Sequence, residues 1–253
     1  MKELLNNILK KWGDVVHLCI VIPMFILCAF AFGITLTPAV MFVKWVMELT
    51  SDQSLFIHSL SFALSLGAAF YIFAFTLILV LPFLNLVLFA TPKPWRGPYY
   101  SVKVLPWYIH NGLTYLARFT VLEFMTPSPF NNLFYRLMRM KVGRHTQINS
   151  SHISDPALVV LGDEVTVGGS VSILAHYGQG GYLVLTPTVI EDKVTLGLKC
   201  SIMGGVHIGK GAKVLPHSVV LPKTKIGAGE IWAGVPAKKL SQEEVDALKN
   251  QRD

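Results

Sequence analysis

Two long stretches of the chain carry no Lys, Arg, Asp or Glu. They cover residues 15–43 and 53–92, and each exceeds the roughly 20 apolar residues that cross a bilayer core. The pattern therefore predicts two transmembrane helices, the first at about 15–36 and the second within 55–90.

Proline positions bear on where these helices end. We expect Pro38 to end or kink the first helix, because proline removes a backbone hydrogen bond. The second segment is either one long tilted helix or a span followed by an interfacial turn after Pro82. A short amphipathic segment, 1–11, comes first, so residues 1–92 form the predicted membrane anchor.

Polar positions return in residues 93–141, which begin with a Pro- and Gly-rich boundary that cannot continue a helix. The apolar segment 105–125 that follows contains His110, Arg118 and Glu123. Charges near the middle of a transmembrane helix are costly, so we predict amphipathic helices that lie in the membrane interface.

A six-residue repeat fills residues 142–240. After a slip of one residue at 154–160 and an interruption at 175–189, an apolar residue opens each unit. These residues are Ile190, Leu196, Ile202, Ile208, Val214, Val220, Ile226 and Trp232. The period predicts a parallel β-helix in which three units make one triangular coil and the opening residues stack inside.

A capping-box pattern follows the repeats. Ser241 and Glu244 have the spacing in which each side chain caps the other's backbone N–H, so residues 241–253 are predicted to form a short C-terminal helix.

Composition agrees with a membrane-attached protein. Hydrophobic residues make up 52% of the 253 residues and charged residues 15%, against about 25% charged in typical soluble domains. The net charge of +7 comes from Lys and Arg placed beside the apolar stretches, which favours a membrane surface over nucleic acid. The same distribution predicts that both termini and the repeat domain are cytoplasmic. The three Cys form no metal-binding or disulfide pattern.

Residues 142–240 resemble the left-handed β-helix acyltransferases of the hexapeptide-repeat superfamily. The run Gly234-Val235-Pro236-Ala237-Lys238 is similar to the usual exit from that solenoid. Together with the upstream apolar segments, the chain resembles the membrane-attached C-terminal modules of polylysine-synthase-type peptide synthetases. The resemblance implies a homotrimer with sites between subunits and an acyl-CoA co-substrate, most often acetyl-CoA. The sequence shows no zinc-type ligand cluster, so we expect no metal.

His176 is the candidate catalytic residue, since it stands where the repeat breaks and the family's catalytic His lies on such an excursion. A neutral imidazole, with an ordinary pKa near 6.5, accepts the proton of an attacking hydroxyl or amine. Gly204 and Gly205 are candidates for the backbone N–H groups that stabilise the oxyanion. The orienting partner of His176 stays open: Asp163 or its neighbour Glu164, Glu191 or its neighbour Asp192, or a main-chain carbonyl. His152 is a weaker candidate for contact with the acceptor.

The resemblance also indicates where the donor binds. The pantetheine arm is expected in a groove between subunits, near Gly205, Ala212, Ser218 and Trp232. Lys238 and Lys239, after the last coil, are candidates for the CoA phosphates.

These features predict an integral membrane acyltransferase, in a bacterial inner membrane. It transfers an acyl group from a CoA thioester to a hydroxyl or amine of a lipid-linked or membrane-associated acceptor. The alternatives are a carrier-protein-dependent transferase that forms amide or peptide bonds, and a non-enzymatic trimeric scaffold. A carbonic anhydrase needs three His ligands on zinc, and His176, His207 and His217 show no matching spacing.

Overall fold

The computed structural model describes residues 12–99 and 101–250. The predicted amphipathic segment 1–11 lies outside the described residues. The helices are α1 Gly13–Leu49, α2 Leu55–Val87, α3 Leu105–Ala117, α4 Glu123–Met125, α5 Pro129–Leu137 and α6 Gln242–Asn250. Residues Val102–Val104 and Pro156–Leu158 form 3₁₀ turns, and Arg118–Leu122 form a π-helical turn between α3 and α4.

The long helices α1 and α2 form an antiparallel pair joined by a short turn. Leu18–Leu49 and Leu55–Val87 are each long and apolar enough to cross a membrane by length and composition. One expectation is corrected: the first helix does not end at Pro38 but continues to Leu49, because the lost backbone hydrogen bond does not end a helix of this length. Of the two alternatives for the second segment, the single long helix is the one found, and it continues through Pro82.

Short strands make up the repeat region, most of them parallel, and one further strand precedes it. The strands are β1 Trp95–Pro98, β2 Lys141–Val142, β3 Gln147–Ile148, β4 Val159–Leu161, β5 Thr166–Val167, β6 Ser172–Ile173, β7 His176–Gln179, β8 Tyr182–Leu185, β9 Thr188–Ile190, β10 Thr195–Leu196, β11 Ser201–Ile202, β12 His207–Ile208, β13 Lys213–Val214, β14 Val219–Val220, β15 Lys225–Ile226, β16 Ile231–Gly234 and β17 Ala237–Lys239.

These strands stack into three sheets. The first contains β2, β4, β9, β12 and β15; the second contains β3, β5, β10, β13 and β16, with β17 antiparallel at its end; the third contains β6, β11 and β14. Leu196 pairs with Val214 and Ile202 with Val220, so partners lie three six-residue units apart, as the repeat predicts. The left-handed sense of the coil stays a prediction.

The interior of the coil holds the residues that open each unit. Ile190, Ile202, Ile208 and Val220 have no exposed surface. Full burial of a side chain of this size contributes about 1.5–3 kcal/mol, and because each coil covers the next, the stack is stable only as a whole.

The interruption of the repeat is a β-hairpin. Strands β7 and β8 pair antiparallel, and the tip residues Gly180 and Gly181 both have positive φ, which glycine adopts without strain. Strand β1, from the segment after α2, pairs with β8 as a third strand. The chain that leaves the helical pair is therefore attached directly to the hairpin that begins at His176.

Helix α3 packs against both α1 and α2. Its residues His110, Asn111 and Thr114 are buried, and Asn111 hydrogen-bonds to Asp155 of the coil. The predicted placement of 105–125 in a membrane interface stays a prediction. Several polar residues of this segment have partners inside the protein: Asn111 contacts the coil, and His110 contacts Asn85 of α2 at 2.9 Å.

The capping box forms as predicted. The Glu244 N–H donates to Ser241 Oγ at 3.3 Å, and the Ser241 N–H donates to Glu244 Oε2 at 2.7 Å, so α6 begins where the sequence indicates. The last predicted residues of this helix, 251–253, lie outside the described residues.

Candidate active site

His176 lies at the corner where the chain leaves the coil to enter β7. Its Nδ1 is 2.6 Å from Oδ2 of Asp155, a residue with no exposed surface. An ionised carboxylate only accepts hydrogen bonds, so the pairing places the proton of a neutral imidazole on Nδ1. The other ring nitrogen, Nε2, is then the one with a lone pair for an incoming proton.

The exposure of His176 leaves that nitrogen accessible. The side chain is 20% exposed, and Nε2 is neither hydrogen-bonded nor among the buried unpaired atoms of the described residues. Trp107 packs edge-on against the imidazole, with ring centroids 5.2 Å apart. The ring is thus held on two sides and open at the reactive nitrogen.

Asp155 accepts four hydrogen bonds. Trp107 Nε1 and Asn111 Nδ2 donate to Oδ1 at 2.6 and 2.8 Å, and the Ala175 N–H and His176 Nδ1 donate to Oδ2 at 3.0 and 2.6 Å. Burial by itself would raise the pKa of Asp155, but the hydrogen bonds from His176, Asn111 and the Ala175 N–H, together with the charge of His176, lower that pKa below its usual value. The carboxylate is therefore kept ionised inside the protein.

The backbone explains how Asp155 reaches His176. Ile153 pairs with Ile173 on the third sheet, so two residues further on Asp155 lies over Ala175, one coil away. Asp155 has left-handed backbone angles (φ 58°, ψ 49°), a conformation that Asp adopts more readily than most residues. The one-residue slip in the repeat thus shapes the corner that carries the carboxylate.

The expectation that Asp163 or Glu191 orients His176 is wrong. Both follow the first sheet, at a different corner of the coil. Asp163 Oδ1 accepts from the Arg144 N–H at 2.6 Å, and Glu191 accepts from the Lys210 N–H and contacts His207 Nε2 at 2.9 Å. Their neighbours lie at the same corner: Asp192 accepts from the Asp163 N–H, and Glu164 is 3.8 Å from Lys193 Nζ.

Gly204 lies directly beside His176 in the next coil. A Cβ atom at Gly204 would lie 2.9 Å from the His176 backbone nitrogen, closer than real side chains approach, so glycine is required there. Gly205 has φ +80° and lies near Thr186 and Lys223. Both predicted glycines are therefore close to the candidate base, and their oxyanion role remains a proposal.

The predicted donor residues are not brought together as expected. Ala212 and Ser218 have no exposed surface, and Ser218 Oγ accepts from the Gly234 N–H at 3.1 Å, so neither side chain is open to a donor. Their expected contact is wrong, because both pack inside the coil.

Two further donor candidates are already engaged within the chain. Lys239 Nζ lies 2.8 Å from Glu230 Oε1, and Trp232 Nε1 donates to Glu230 Oε2 at 2.9 Å. The hydrogen bonds from Lys239, Trp232 and the Gly227 N–H lower the pKa of Glu230 to about 2. Lys238 is exposed and is the candidate left for the CoA phosphates.

His152 belongs to a second polar group near the site. Its Nδ1 is 3.3 Å from Ser151 Oγ, which donates to Glu123. Burial and the charge of Arg118 lower the pKa of His152, against the opposing charge of Glu123. Its predicted contact with the acceptor stays a prediction.

Comparison with known proteins finds relatives that are similar to part of the chain. No family model matches it. Delta-poly-L-ornithine synthetase of Acinetobacter baumannii is 25% identical over 145 residues, which cover 57% of this chain and 11% of the synthetase. Gamma carbonic anhydrase 2, mitochondrial, of Arabidopsis thaliana is 33% identical over 102 residues, 39% of this chain and 32% of the anhydrase.

A third relative is 2,3,4,5-tetrahydropyridine-2,6-dicarboxylate N-acetyltransferase of Staphylococcus aureus, 36% identical over 74 residues, 26% of this chain and 30% of that enzyme. The chain spans less than a third of each of these three relatives. The similarity to the synthetase and the acetyltransferase agrees with the predicted resemblance to hexapeptide-repeat acyltransferases.

The anhydrase relative raises the question of a metal centre. Within residues 12–99 and 101–250, no group of three or more His, Cys, Asp or Glu is placed to hold a metal ion.

Proposed function

We propose that this chain is a membrane-anchored acyltransferase. It moves an acyl group, of which acetyl is the expected one, from a CoA thioester to a hydroxyl or amine of a lipid-linked or membrane-associated acceptor. The observation that carries the proposal is the pair of His176 and buried Asp155, 2.6 Å apart, with Nε2 left open in a coil of the transferase class.

The pair supplies the proton transfers that acyl transfer needs. Nε2 of His176 takes the proton of the acceptor O–H or N–H, while the lone pair of the acceptor oxygen or nitrogen attacks the thioester carbonyl carbon. The C–S bond of the tetrahedral intermediate then breaks, and the imidazolium returns the proton to the leaving thiolate. Asp155 keeps its charge throughout and stabilises the imidazolium. N–H groups at Gly204 and Gly205 are the proposed partners of the oxyanion.

The surface of α1 and α2 supports the membrane anchor. Large apolar residues are exposed on several faces, for example Phe25 at 68%, Ile26 at 66% and Leu55 at 83%. A helix that is apolar all round needs either a protein core or a lipid environment. We place both helices across a bacterial inner membrane, with the coil on the cytoplasmic side where basic residues gather. The assembly we propose is a homotrimer, in keeping with the class.

A carrier-protein-dependent transferase that forms amide bonds is the second candidate. The likeness to Delta-poly-L-ornithine synthetase, over 57% of this chain, supports the amide-bond step, since a poly-ornithine forms by acylation of an amine. The two candidates share the His176 chemistry and differ in the donor.

The test compares two His–carboxylate pairs in the purified full chain. The assay measures thiol release from acetyl-CoA and transfer of labelled acetyl into lipid-extractable material, with bacterial membrane extract as acceptor. His176→Gln should lower turnover by about 10²- to 10⁴-fold. The matched control is His207→Gln, since the exposed His207 pairs with Glu191 at 2.9 Å away from the site, and it should retain activity.

Equal activity of both variants and the wild type would exclude His176 as the base. Turnover only with an acyl-loaded carrier protein would select the second candidate. A stable trimer with no turnover from either donor would favour a scaffold.

A further inference from the structure

A groove of about 410 Å³ lies between the end of α2 and helix α5, away from the His176 site. It is lined by Leu79, Pro82, Phe83, Asn85, Leu86, Arg136, Leu137 and Arg139. One wall is therefore apolar, and the other carries two guanidinium groups.

The apolar wall is one face of α2. Leu79, Phe83 and Leu86 follow each other at four- and three-residue steps, which places them on the same side of a helix. They are 54%, 61% and 51% exposed. The opposite face of this helix end, including Leu77, Ile78 and Leu81, is buried against the protein, so only the outer face is available to a ligand.

The basic wall has unused capacity for an anion. Arg136 Nη2 donates to the Gly143 carbonyl at 3.1 Å, and within residues 12–99 and 101–250 no carboxylate lies within 4.0 Å of Arg136 or Arg139. A guanidinium presents a planar fork of N–H donors that matches a phosphate group. Two such groups beside an apolar wall fit an anion with a hydrocarbon tail.

The height of the groove along α2 fits a lipid headgroup. The 33 residues of α2 rise about 50 Å, more than the roughly 30 Å hydrocarbon core of a bilayer. A helix longer than the core tilts or extends past it, so the last turns of α2 lie at the boundary between the core and the headgroup layer on the basic side. This step rests on the proposed membrane placement of α2.

We propose that this groove binds an anionic phospholipid, with the phosphate held by Arg136 and Arg139 and an acyl chain against Leu79, Phe83 and Leu86. This lipid site takes no part in acyl transfer. It holds an anionic phospholipid against the membrane anchor. The occupant is a phospholipid of the surrounding leaflet. Free phosphate has no hydrocarbon chain to cover the apolar residues of the α2 wall.

The experiment uses the full chain in a neutral detergent and measures binding of dioctanoyl phosphatidylglycerol by native mass spectrometry and by thermal shift. Dioctanoyl phosphatidylcholine tests the need for net negative charge, and inorganic phosphate tests the need for the tail. The double variant Arg136→Gln/Arg139→Gln should weaken phosphatidylglycerol binding by about 10- to 100-fold.

The matched control is Lys141→Gln/Arg144→Gln, which removes the same charge from exposed residues that do not line the groove. It should change binding less than about threefold. Equal loss in both double variants, equal binding of phosphatidylcholine, or an equal shift with inorganic phosphate would overturn the proposal.

Failure of this site and failure of the transferase are distinguishable. Thiol release from acetyl-CoA reports on His176 and does not require the groove. Selective phosphatidylglycerol binding without turnover would refute only the proposed acyltransferase function. Turnover without selective binding would refute only the proposed phospholipid site. Alkaline extraction of native membranes tests the anchor independently of both.

Discussion

The substitution Asp155→Asn tests the central geometry, because it keeps the shape of the side chain and removes its charge. The carboxylate accepts two hydrogen bonds on each oxygen. An amide has one accepting oxygen and one donating NH₂ group. Whichever way it turns, its NH₂ faces N–H donors that had an acceptor before.

The two orientations have different consequences for His176. If the amide oxygen stays at the Oδ2 position, His176 keeps its proton on Nδ1, but the Trp107 indole N–H and the Asn111 amide N–H both lose their acceptor. If the oxygen moves to the Oδ1 position, the NH₂ donates to Nδ1, and the imidazole must carry its proton on Nε2, where it cannot act as a base.

The magnitude follows from these cases. Two donors lose their acceptor in the first orientation, and the Ala175 N–H loses its acceptor in the second. Each buried donor without an acceptor costs about 1–3 kcal/mol of stability. The lost counter-charge of the imidazolium corresponds to about 10²-fold in kcat, since a charge-assisted hydrogen bond contributes about 1.5–3 kcal/mol. A wrong tautomer costs about 10⁴-fold in the comparable Asp-to-Asn change of a serine protease triad. We therefore expect kcat to fall between about 10²- and 10⁴-fold, with KM for acetyl-CoA little changed.

The assay is acetyl-CoA thiol release across pH, with thermal unfolding as a check on the fold. Asp163→Asn is the matched control, because it makes the same change at an exposed carboxylate of another corner, and it should retain activity. If Asp155→Asn keeps more than about half of the wild-type kcat while folded, the buried carboxylate does not prepare His176, and the reasoning fails.

Three further predictions follow from the same contacts. Trp107→Phe keeps a ring beside His176 but removes an indole donor to Asp155, so kcat should fall several-fold with KM unchanged, measured by the same assay; unaltered kcat would contradict the role. Gly204→Ala should lower the unfolding temperature and kcat together, since overpacking costs about 1–3 kcal/mol and the new Cβ meets the His176 backbone; full activity would show that the coil gives way freely. Burial lowers the pKa of His110 to about 4, against the pull of Asp155, so the folded state loses stability as pH falls from 6.5 toward 4. The loss should reach about 2 kcal/mol at pH 5 and be reduced in His110→Gln. Denaturant unfolding at pH 7.5 and 5 measures it, and equal free energies of unfolding at the two pH values would contradict the burial of His110.

The fold of the coil could be predicted because its signal is local and repeated. Each six-residue unit places one apolar residue inside, and Ile190, Ile202 and Ile208 show the period without knowledge of their neighbours. The ends of the helices were harder to predict from the sequence. Proline discourages helix on average, but α1 passes Pro38 since a long apolar helix tolerates one missing hydrogen bond.

Only one half of the candidate pair, His176, could be predicted from the sequence. His176 was marked by the break in the repeat, whereas its partner Asp155 depends on which residues stack across coils. The slip at 154–160 moves the register, so Asp155 lies over Ala175 although 20 residues separate them. If the slip had been included when residues were aligned between coils, the sequence would have predicted Asp155 in place of Asp163 as the partner of His176. Nothing in the sequence pattern indicated Trp107 or Asn111, because their role arises from the packing of α3 on the coil.

The contacts of Asp155 make the helical part a component of the site rather than only an anchor. Two of its four donors, Trp107 and Asn111, come from α3, which also packs against α1 and α2. Strand β1, which follows α2, pairs with the hairpin that starts at His176. Removing the helices would therefore withdraw two hydrogen bonds from a fully buried carboxylate and expose one edge of the hairpin. A coil expressed alone would keep its apolar interior and lose the oriented His176, so the position of the helices and the chemistry of the site are physically coupled.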